Sequence, residues 1–445
     1  MAAQINEIKD LIRKGDFVRI TELLKDSHPV DITEIFLELE PQECLYIFQH
    51  LEFSTARDVL EELDPEKVTF ILTNLKAEDA ARLLREMSAD DVADYLGMLP
   101  ENMRQKFLHL LHQQDQNDIR SLLSYDENTA GGRMTTEFIA FPKDMKAEET
   151  LNRLAELAPD AEMIYYVYVV DDEGKLLGVL SLRDLVLSDP DTPLEDIMYT
   201  DVKKVLATQD QEEVIRVMEK YGFLALPVVD EKGVLLGIVT VDDIMDAVEE
   251  EATEDILKMA GADEKIALDK SSPWLRARRR LPWLLIALFG ELFSGNIIKN
   301  FSHALQTIVA LSFFIPLLMA MGGNVGTQSA AIVVRGLATG QIDPKAMWSR
   351  VLRESCVGAI LGLVSGIIVA VIAYMWQGMP VLGLVLGMSM VLNLTIAAVI
   401  GTFIPMFWNK LGRDPAVTSG PFVTTLLDII SLFVYFGTAR WILKL

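Results

Sequence analysis

From residue 281 onward the chain carries five apolar runs, near residues 281–301, 304–322, 350–376, 380–407 and 421–443, and they constrain its fold more than any other feature. Each is long enough, as a helix, to cross a hydrocarbon core of about 30 Å. Lipid offers no partner to an unpaired backbone group, so the runs predict an all-α membrane domain of five helices. Charge divides at the same place. Of the 65 acidic residues only Glu291, Asp343, Glu354, Asp414 and Asp428 fall in residues 271–445, with 13 of the 40 basic ones, which leaves −33 before residue 271 and +8 from there on. Such a division separates a solvated acidic body from a membrane body whose basic residues cluster at helix ends. The acidic body repels phosphate, which argues against nucleic acid as a partner and makes divalent cations natural ligands.

Basic residues set the expected orientation in the lipid bilayer. Arg276, Arg278, Arg279 and Arg280 precede the first run, Arg335, Lys345, Arg350 and Arg353 follow the second, and Lys410 and Arg413 follow the fourth. These sides are expected to face the cytosol, and five spans then place the C-terminus outside, with Arg440 and Lys444 as a mild objection. The start MAAQINEIKDLIRKGDF is charged throughout and contains no apolar stretch, so the N-terminus is expected to stay in the cytosol of a multi-pass inner-membrane protein. Cys44 and Cys356 fall in different halves and suggest neither a disulfide nor a thiolate site. His109 and His112 can share a helix face but lack further ligands for zinc.

Ahead of the spans, helix-start signals recur at Pro29, Pro41, Pro65, Ala77, Ala89 and Pro100, with apolar residues at helical intervals between them. Short helices at a fixed period stack because none buries its apolar face alone, so residues 1–130 predict an acidic α-solenoid. A closer repeat follows. YVVDDEGKLLGVLSLRDL at 168–185 aligns with PVVDEKGVLLGIVTVDDI at 227–244, each reading as strand, glycine turn, strand and helix. This resembles a tandem pair of CBS domains, an α/β arrangement placed here at residues 131–250 with halves at about 134–190 and 198–250. An acidic connecting helix is expected over residues 241–275 and the transmembrane domain over 276–445.

Several residues stand out against this layout. Asp428 lies among apolar residues of the last run, where a carboxylate costs about 2.5–3.5 kcal/mol. It either faces a polar pathway or is neutral and bonded to a neighbouring helix. Thr424 and Thr425 extend the same helix face. Glu291 in the first run is a weaker candidate, either buried for structural reasons or beside a kink with Gly290 and Gly295. MGGNVGTQSA at 321–330 interrupts apolar sequence, and reads either as non-helical backbone lining a cavity or as a cytosolic turn ending the second span. In VDDIMDAVEEEATEDILKM at 241–259, Asp243, Asp246, Glu250 and Glu254 share a face, and like charges four apart strain it at Glu250 with Glu254 and at Glu251 with Asp255. A divalent cation would relieve that strain, although a solvated acidic face is the alternative; Asp90 and Asp91 raise the same question. Ser181 with Asp184, and Thr240 with Asp243, follow a hydroxyl-x-x-Asp pattern that suits a nucleotide ribose or a plain helix cap.

GGNVGTQSA followed by VVRGLATG, together with SGPFVTTLLD at 419–428, resembles the pore signatures of the MgtE family of magnesium channels. The order of helical N domain, CBS pair, acidic helix and five spans is similar to that family as well. The resemblance implies a homodimeric magnesium channel for Mg2+ uptake, with Asp428 at the ion site and Thr424, Gly420, Asn324, Thr327 and Gln328 along the pore. It further implies regulatory Mg2+ ligands among Asp90, Asp91, Asp243, Asp246, Glu251, Glu254 and Asp255, closing the pore when the ion is plentiful, and a regulatory ATP at the CBS pair. Some relatives in that family carry Asn where this chain has Thr327 and Gly420. The rival expectations are an ion-coupled secondary transporter and a membrane-anchored nucleotide sensor. An enzyme is not expected, for want of a nucleophile with its base, a phosphate loop or a metal-hydrolase spacing.

Overall fold

A computed structural model describes the chain apart from residues 1, 26, 64, 158–160, 162, 263–272, 419 and 445. It divides into two compact units, Met1–Ala247 and Val248–Leu445. The first unit opens with short helices α1 (Ala2–Lys14), α2 (Phe17–Leu24), α3 (Pro29–Leu37), α4 (Pro41–Phe48), α5 (Phe53–Glu61), α6 (Pro65–Asn74), α7 (Ala77–Leu84), α8 (Ala89–Met98), α9 (Glu101–Leu108) and α10 (Gln113–Leu122). Proline at the first position of α3 and α4 presets φ where no N–H is needed. The helices are too short to be stable alone and depend on packing. Alternate members supply it: α2 packs on α4, α4 on α6, α6 on α8 and α8 on α10. Ile20, Phe36, Ile47, Leu60, Ile71 and Leu96 fill the seam and are buried.

The repeat that follows builds two matching sheets. Strand β1 (Ala140–Pro142) runs parallel to β2 (Tyr166–Val170), which is antiparallel to β3 (Leu176–Ser181), with helix α11 (Ala147–Leu157) between β1 and β2. After α12 (Leu182–Leu187) and α13 (Leu194–Ile197), the pattern recurs with β4 (Val205–Leu206), α14 (Gln211–Tyr221), β5 (Ala225–Val229) and β6 (Leu235–Thr240). Gly174 and Gly233 turn the two hairpins at φ +79° and +87°, a region costly for any residue with a Cβ. The turns also bond each other, Leu176 N–H to the Gly233 carbonyl and Leu235 N–H to the Gly174 carbonyl, each at 3.0 Å. That reciprocity makes the pair pseudo-symmetric.

Helix α15 (Val241–Met259) crosses the division between the units, and its buried Ile244 and Ala247 belong to the first. The second unit carries α16 (Pro273–Asn300), α17 (Ser302–Thr307), a 3-10 segment at Val309–Phe314, α18 (Ile315–Ala338), α19 (Met347–Gln377), α20 (Pro380–Lys410) and α21 (Pro421–Leu443). Among the described residues five stretches are long and apolar enough to span a membrane. Helix α20 packs on α18, α19 and α21, and α16 lies against α21.

The second span corrects the expectation for residues 321–330. They are neither unwound nor a turn, but lie inside α18, which continues to Ala338. The polar and glycine residues divide by face. Gly322 and Gly326 point to the packing side, where a Cβ at Gly326 would lie 1.9 Å from Leu427 Cδ1 and one at Gly322 would lie 2.6 Å from Ser431 Oγ. From the far side a Cβ on Gly401 of α20 would lie 2.2 Å from the Gly326 carbonyl oxygen. Helices in lipid associate through such small-residue contacts. Gly401→Ala therefore meets backbone that cannot rotate away, and is expected to destabilise the detergent-solubilised protein by about 1–3 kcal/mol in thermal melts. Gly437→Ala in α21, where nothing lies within 4 Å of the added Cβ, is expected to be neutral or stabilising.

Candidate ion pathway and cation-sensing residues

One face of α18 and the first turns of α21 enclose a groove of about 450 Å³. Gly323, Asn324, Thr327 and Gln328 line it from α18, spaced so that they share one side of the helix. Thr424 and Asp428, one turn apart on α21, line it opposite. The Thr424 hydroxyl donates to the Pro421 carbonyl at 3.0 Å, which leaves its oxygen lone pairs to the groove. Thr425 is not on this face: its methyl lies where a Cβ of Gly290 would come within 1.9 Å, so α16 closes on α21 there. That approach brings the Glu291 carboxyl beside that of Asp428. Glu291 is exposed on α16, which continues as helix through Gly290 and Gly295, beside the exposed Leu288, Phe289 and Leu292, and is not a buried structural residue.

What fixes the groove was missed in the sequence. Asn393 of α20 is 1% exposed, donates Nδ2–H to the Leu318 carbonyl at 2.8 Å and accepts from Ser431 Oγ at 2.7 Å. One amide thereby ties α18, α20 and α21 together directly behind the residues that face the groove. A lone Asn in an apolar run is the signal that could have revealed it, since a buried amide needs partners. Gly420 is not among the residues that line this groove; a Cβ on it would lie 2.5 Å from the Met259 carbonyl oxygen at the end of α15, and one on Gly261 would lie 2.6 Å from Pro421 Cγ.

The acidic candidates separate into groups. In the first unit Asp90 and Asp91 open α8, and Asp243 opens α15. Ser88 Oγ donates to Asp91 at 2.9 Å and Thr240 Oγ1 to Asp243 at 2.5 Å, whereas Asp90 Oδ1 is buried without a hydrogen-bond partner. Burial, then the repulsion of Asp90, pushes the Asp91 carboxyl up to about 8, with Glu61 and Asp243 adding to it. Burial likewise raises Asp90. Glu61 was not singled out from sequence. Asp246 is exposed and Glu251 half-buried on α15. In the second unit Glu254 is taken by Lys258 at 2.5 Å, and Asp255 is held above the usual range first by burial and then by Asp414. Among the described residues no three His, Cys, Asp or Glu side chains stand ready as a metal cage.

The CBS-like pair holds a cavity of about 290 Å³ lined by Tyr166, Ser181, Asp184, Tyr199, Lys203 and Phe223 among others. Ser181 and Asp184 cap α12 reciprocally, with Ser181 Oγ 2.6 Å from Asp184 Oδ2, and both also face the cavity. Thr240 and Asp243 do not line it. They are a helix-start pair whose carboxylate faces Asp91 instead.

The profile of MgtE divalent cation transporters matches residues 315–438, that of the MgtE intracellular N domain residues 27–128, and that of CBS domains residues 130–190 and 194–250. The chain is 44% identical over 321 residues to the magnesium transporter MgtE of Bacillus subtilis, covering 72% of this chain and 71% of that one. With the magnesium transporter MgtE of Thermus thermophilus it shares 42% over 342 residues, 76% of either chain. The chain belongs to the MgtE family. A crystal structure of the cytosolic domain of the Mg2+ channel MgtE in complex with ATP matches 55% of this chain and 99% of its own, at 40% identity and a TM-score of 0.52. A soluble part of a magnesium transporter matches 57% and 99%, at 35% identity and a TM-score of 0.51.

Membership in MgtE, with five apolar helices, makes this a multi-pass membrane protein of a transporter class. The half-buried Asp91 yields a stability test. A carboxyl raised from an ordinary value of about 3.9 contributes stability that is present at acid pH and lost as pH climbs toward its folded value. Urea melts of the full chain in chelator are therefore expected to show stability falling between pH 5 and pH 8. Asp91→Asn should flatten that fall, and an unchanged pH slope would refute the assignment.

Proposed function

We propose that this MgtE-family protein is a homodimeric, magnesium-selective channel that admits Mg2+ across the cytoplasmic membrane and is closed by cytosolic Mg2+. The observation that carries this reading is the groove that joins Asp428 and Thr424 to Asn324, Thr327 and Gln328 inside the spanning unit. Relatives with more than two thirds of their length covered are named magnesium transporters. Magnesium gives up water reluctantly and is held by one or two carboxylates with several waters retained. Polar amide and hydroxyl groups opposite one carboxylate suit such a hydrated ion, and a second copy facing the first would supply a second Asp428. Glu291 adds a carboxyl that the family signatures do not include. Two carboxyl groups meet only around an intervening positive charge, a proton or a metal ion.

Gating follows from the acidic groups under the same reading. The soluble regions, taken as 1–130, 131–250 and the connecting stretch 241–275, repel themselves when free of cations. Mg2+ favours the arrangement that gathers Asp90, Asp91, Asp243, Asp246, Glu251, Glu254 and Asp255, through its higher affinity for that state. Helix α15 ends against the start of α21, where Met259 meets Gly420, so its movement reaches the helix that carries Asp428. The cavity at Ser181 and Asp184 is the proposed ATP site, in keeping with the ATP complex of the related cytosolic domain. On this reading the C-terminus lies outside the cell.

Flux into liposomes tests the pathway. Asp428→Asn is expected to lower Mg2+ uptake at least tenfold without loss of assembly. Glu291→Gln is expected to raise the half-saturating Mg2+ concentration several-fold with little change in maximal rate. Resolved single-channel openings in symmetric buffer separate a channel from an ion-coupled carrier, and absence of any Mg2+ flux would leave a nucleotide sensor. For the soluble pair, Asp184→Ala is expected to weaken ATP binding about tenfold in calorimetry, near the 1.4 kcal/mol of one charged hydrogen bond.

A further inference from the structure

Helix α16 is held less firmly than the other spans. Within the chain it packs chiefly on α21, and 11% of its apolar window is buried, against 28–50% for the other four. It is also long for one crossing. Its 28 residues rise about 42 Å, whereas the 20 from Leu281 to Asn300 already match a hydrocarbon core of about 30 Å. The excess is therefore the first stretch, PWLRARRR at 273–280. Arg276, Arg278 and Arg280 are exposed there, Arg279 is half-buried, and Trp274 is 79% exposed. From Arg276 to Leu281 the helix rises about 7.5 Å, close to the depth of one headgroup layer, about 5–7 Å on each side of the core.

Four arginines are costly in this place. Like charges three and four residues apart repel, as at Arg276 with Arg279 and with Arg280, and positive side chains in the first turns oppose the helix dipole, with no acid in the first turn to offset it. The acids of residues 271–445 are occupied elsewhere. Glu291 stands beside Asp428, Asp343 accepts from the Lys345 N–H, Glu354 pairs with Arg350, and Asp414 pairs with Lys258. Arg278 and Arg280 meet no carboxylate among the described residues. An anion from outside the chain removes both costs, and the guanidinium fork matches a phosphate with two hydrogen bonds. The exposed Trp274, Leu275 and Leu281 that flank the arginines decide between kinds of anion. An acidic protein surface offers charge alone, whereas a lipid leaflet offers phosphate at one depth and apolar chains at the next.

We infer that the arginine cluster at the start of α16 binds the headgroups of anionic phospholipids in the leaflet that this helix enters, and so anchors the span that the rest of the bundle holds least. Arg278 and Arg280 supply the free charges, and Trp274 seats at the outer edge of the same layer. Because Gly290 and Glu291 of α16 close on Thr425 and Asp428 of α21, the anchor also steadies the helix that stands beside Asp428. It rests on the membrane placement of the spans and on no part of the gating reading.

The test titrates lipid into the detergent-solubilised full chain and reads its melting temperature. Phosphatidylglycerol is expected to raise it, and phosphatidylcholine, with the same acyl chains and no net charge, to raise it far less. The difference should largely vanish in about 1 M NaCl, where the screening length falls to about 3 Å. With Arg278→Gln and Arg280→Gln combined, the phosphatidylglycerol concentration that gives half the gain is expected to rise about tenfold, while Arg278→Lys with Arg280→Lys stays within about threefold of the parent. Equal stabilisation by the two lipids overturns the inference. So does an unchanged phosphatidylglycerol response in the glutamine variant, which would leave the arginines to an acidic protein surface. A second measurement needs no variant. In nanodiscs, phenylglyoxal should modify Arg278 and Arg280 at least about threefold more slowly with phosphatidylglycerol than with phosphatidylcholine, read by mass spectrometry against the exposed Arg183 of the first unit. Equal modification in the two lipids overturns the inference even where the glutamine variant does not assemble. Mg2+ flux enters neither readout, so a failure here is distinct from a failure of the channel reading.

Discussion

In lipid, burying leucine against leucine gains nothing over leucine against an acyl chain, so α18, α20 and α21 are held by contacts that only small residues allow. Gly326 and Gly401 meet backbone to backbone, and Gly322 leaves room for Asn393 and Ser431. Everything else in the spanning unit depends on this closeness. It permits one amide, Asn393, to reach a carbonyl of α18 and a hydroxyl of α21 together. It also turns the opposite side of α18 outward, so that Asn324, Thr327 and Gln328 face Asp428 across a groove rather than being spent on packing.

The same principle explains which parts of the chain were legible in its sequence. Hydropathy and the paired VVD…LLG motifs sufficed for the spans and the two sheets, because length and period 2 are set locally. Residues 321–330 were misread because glycine has two opposite meanings. It breaks a helix in water, yet within the membrane it is the residue that lets helices touch. Nothing local distinguishes Gly322, which packs, from Gly323, which lines the groove. The contact that Gly420 makes with the Met259 carbonyl joins positions distant in sequence, so no local pattern could reveal it. The break at Val309–Phe314 was likewise hidden in a continuous apolar run.

Charge was the less legible half of the candidate sites. Helical spacing put Asp243, Asp246, Glu250 and Glu254 on one face, and tertiary structure reassigned them. Asp243 turned toward Asp91, Glu254 was taken by Lys258, and Asp246 stayed exposed. Glu61 and Asp414 entered from elements that no periodicity links to α15. A carboxylate's partners are set by long-range contacts, whereas a helix face is set by its neighbours in sequence.

These two kinds of constraint have different consequences for the proposed gating. Glycine contacts between α18, α20 and α21 are short-range and steep, so a displacement of even an ångström is costly and the groove keeps its shape. The acidic clusters are the reverse. The half-buried carboxylates Asp90 and Asp91 are costly to ionise together without a cation, and that cost, set first by burial, changes with what is bound. Cation binding can therefore change the energy of the acidic groups by amounts that leave the glycine seam untouched. The junction at Met259 and Gly420 is where the two regimes adjoin within the second unit, a charged helix end seated against the first residues of a packed span. Rigid packing there makes a small change at the helix end felt as displacement rather than absorbed as deformation, which is what the proposed gating would need.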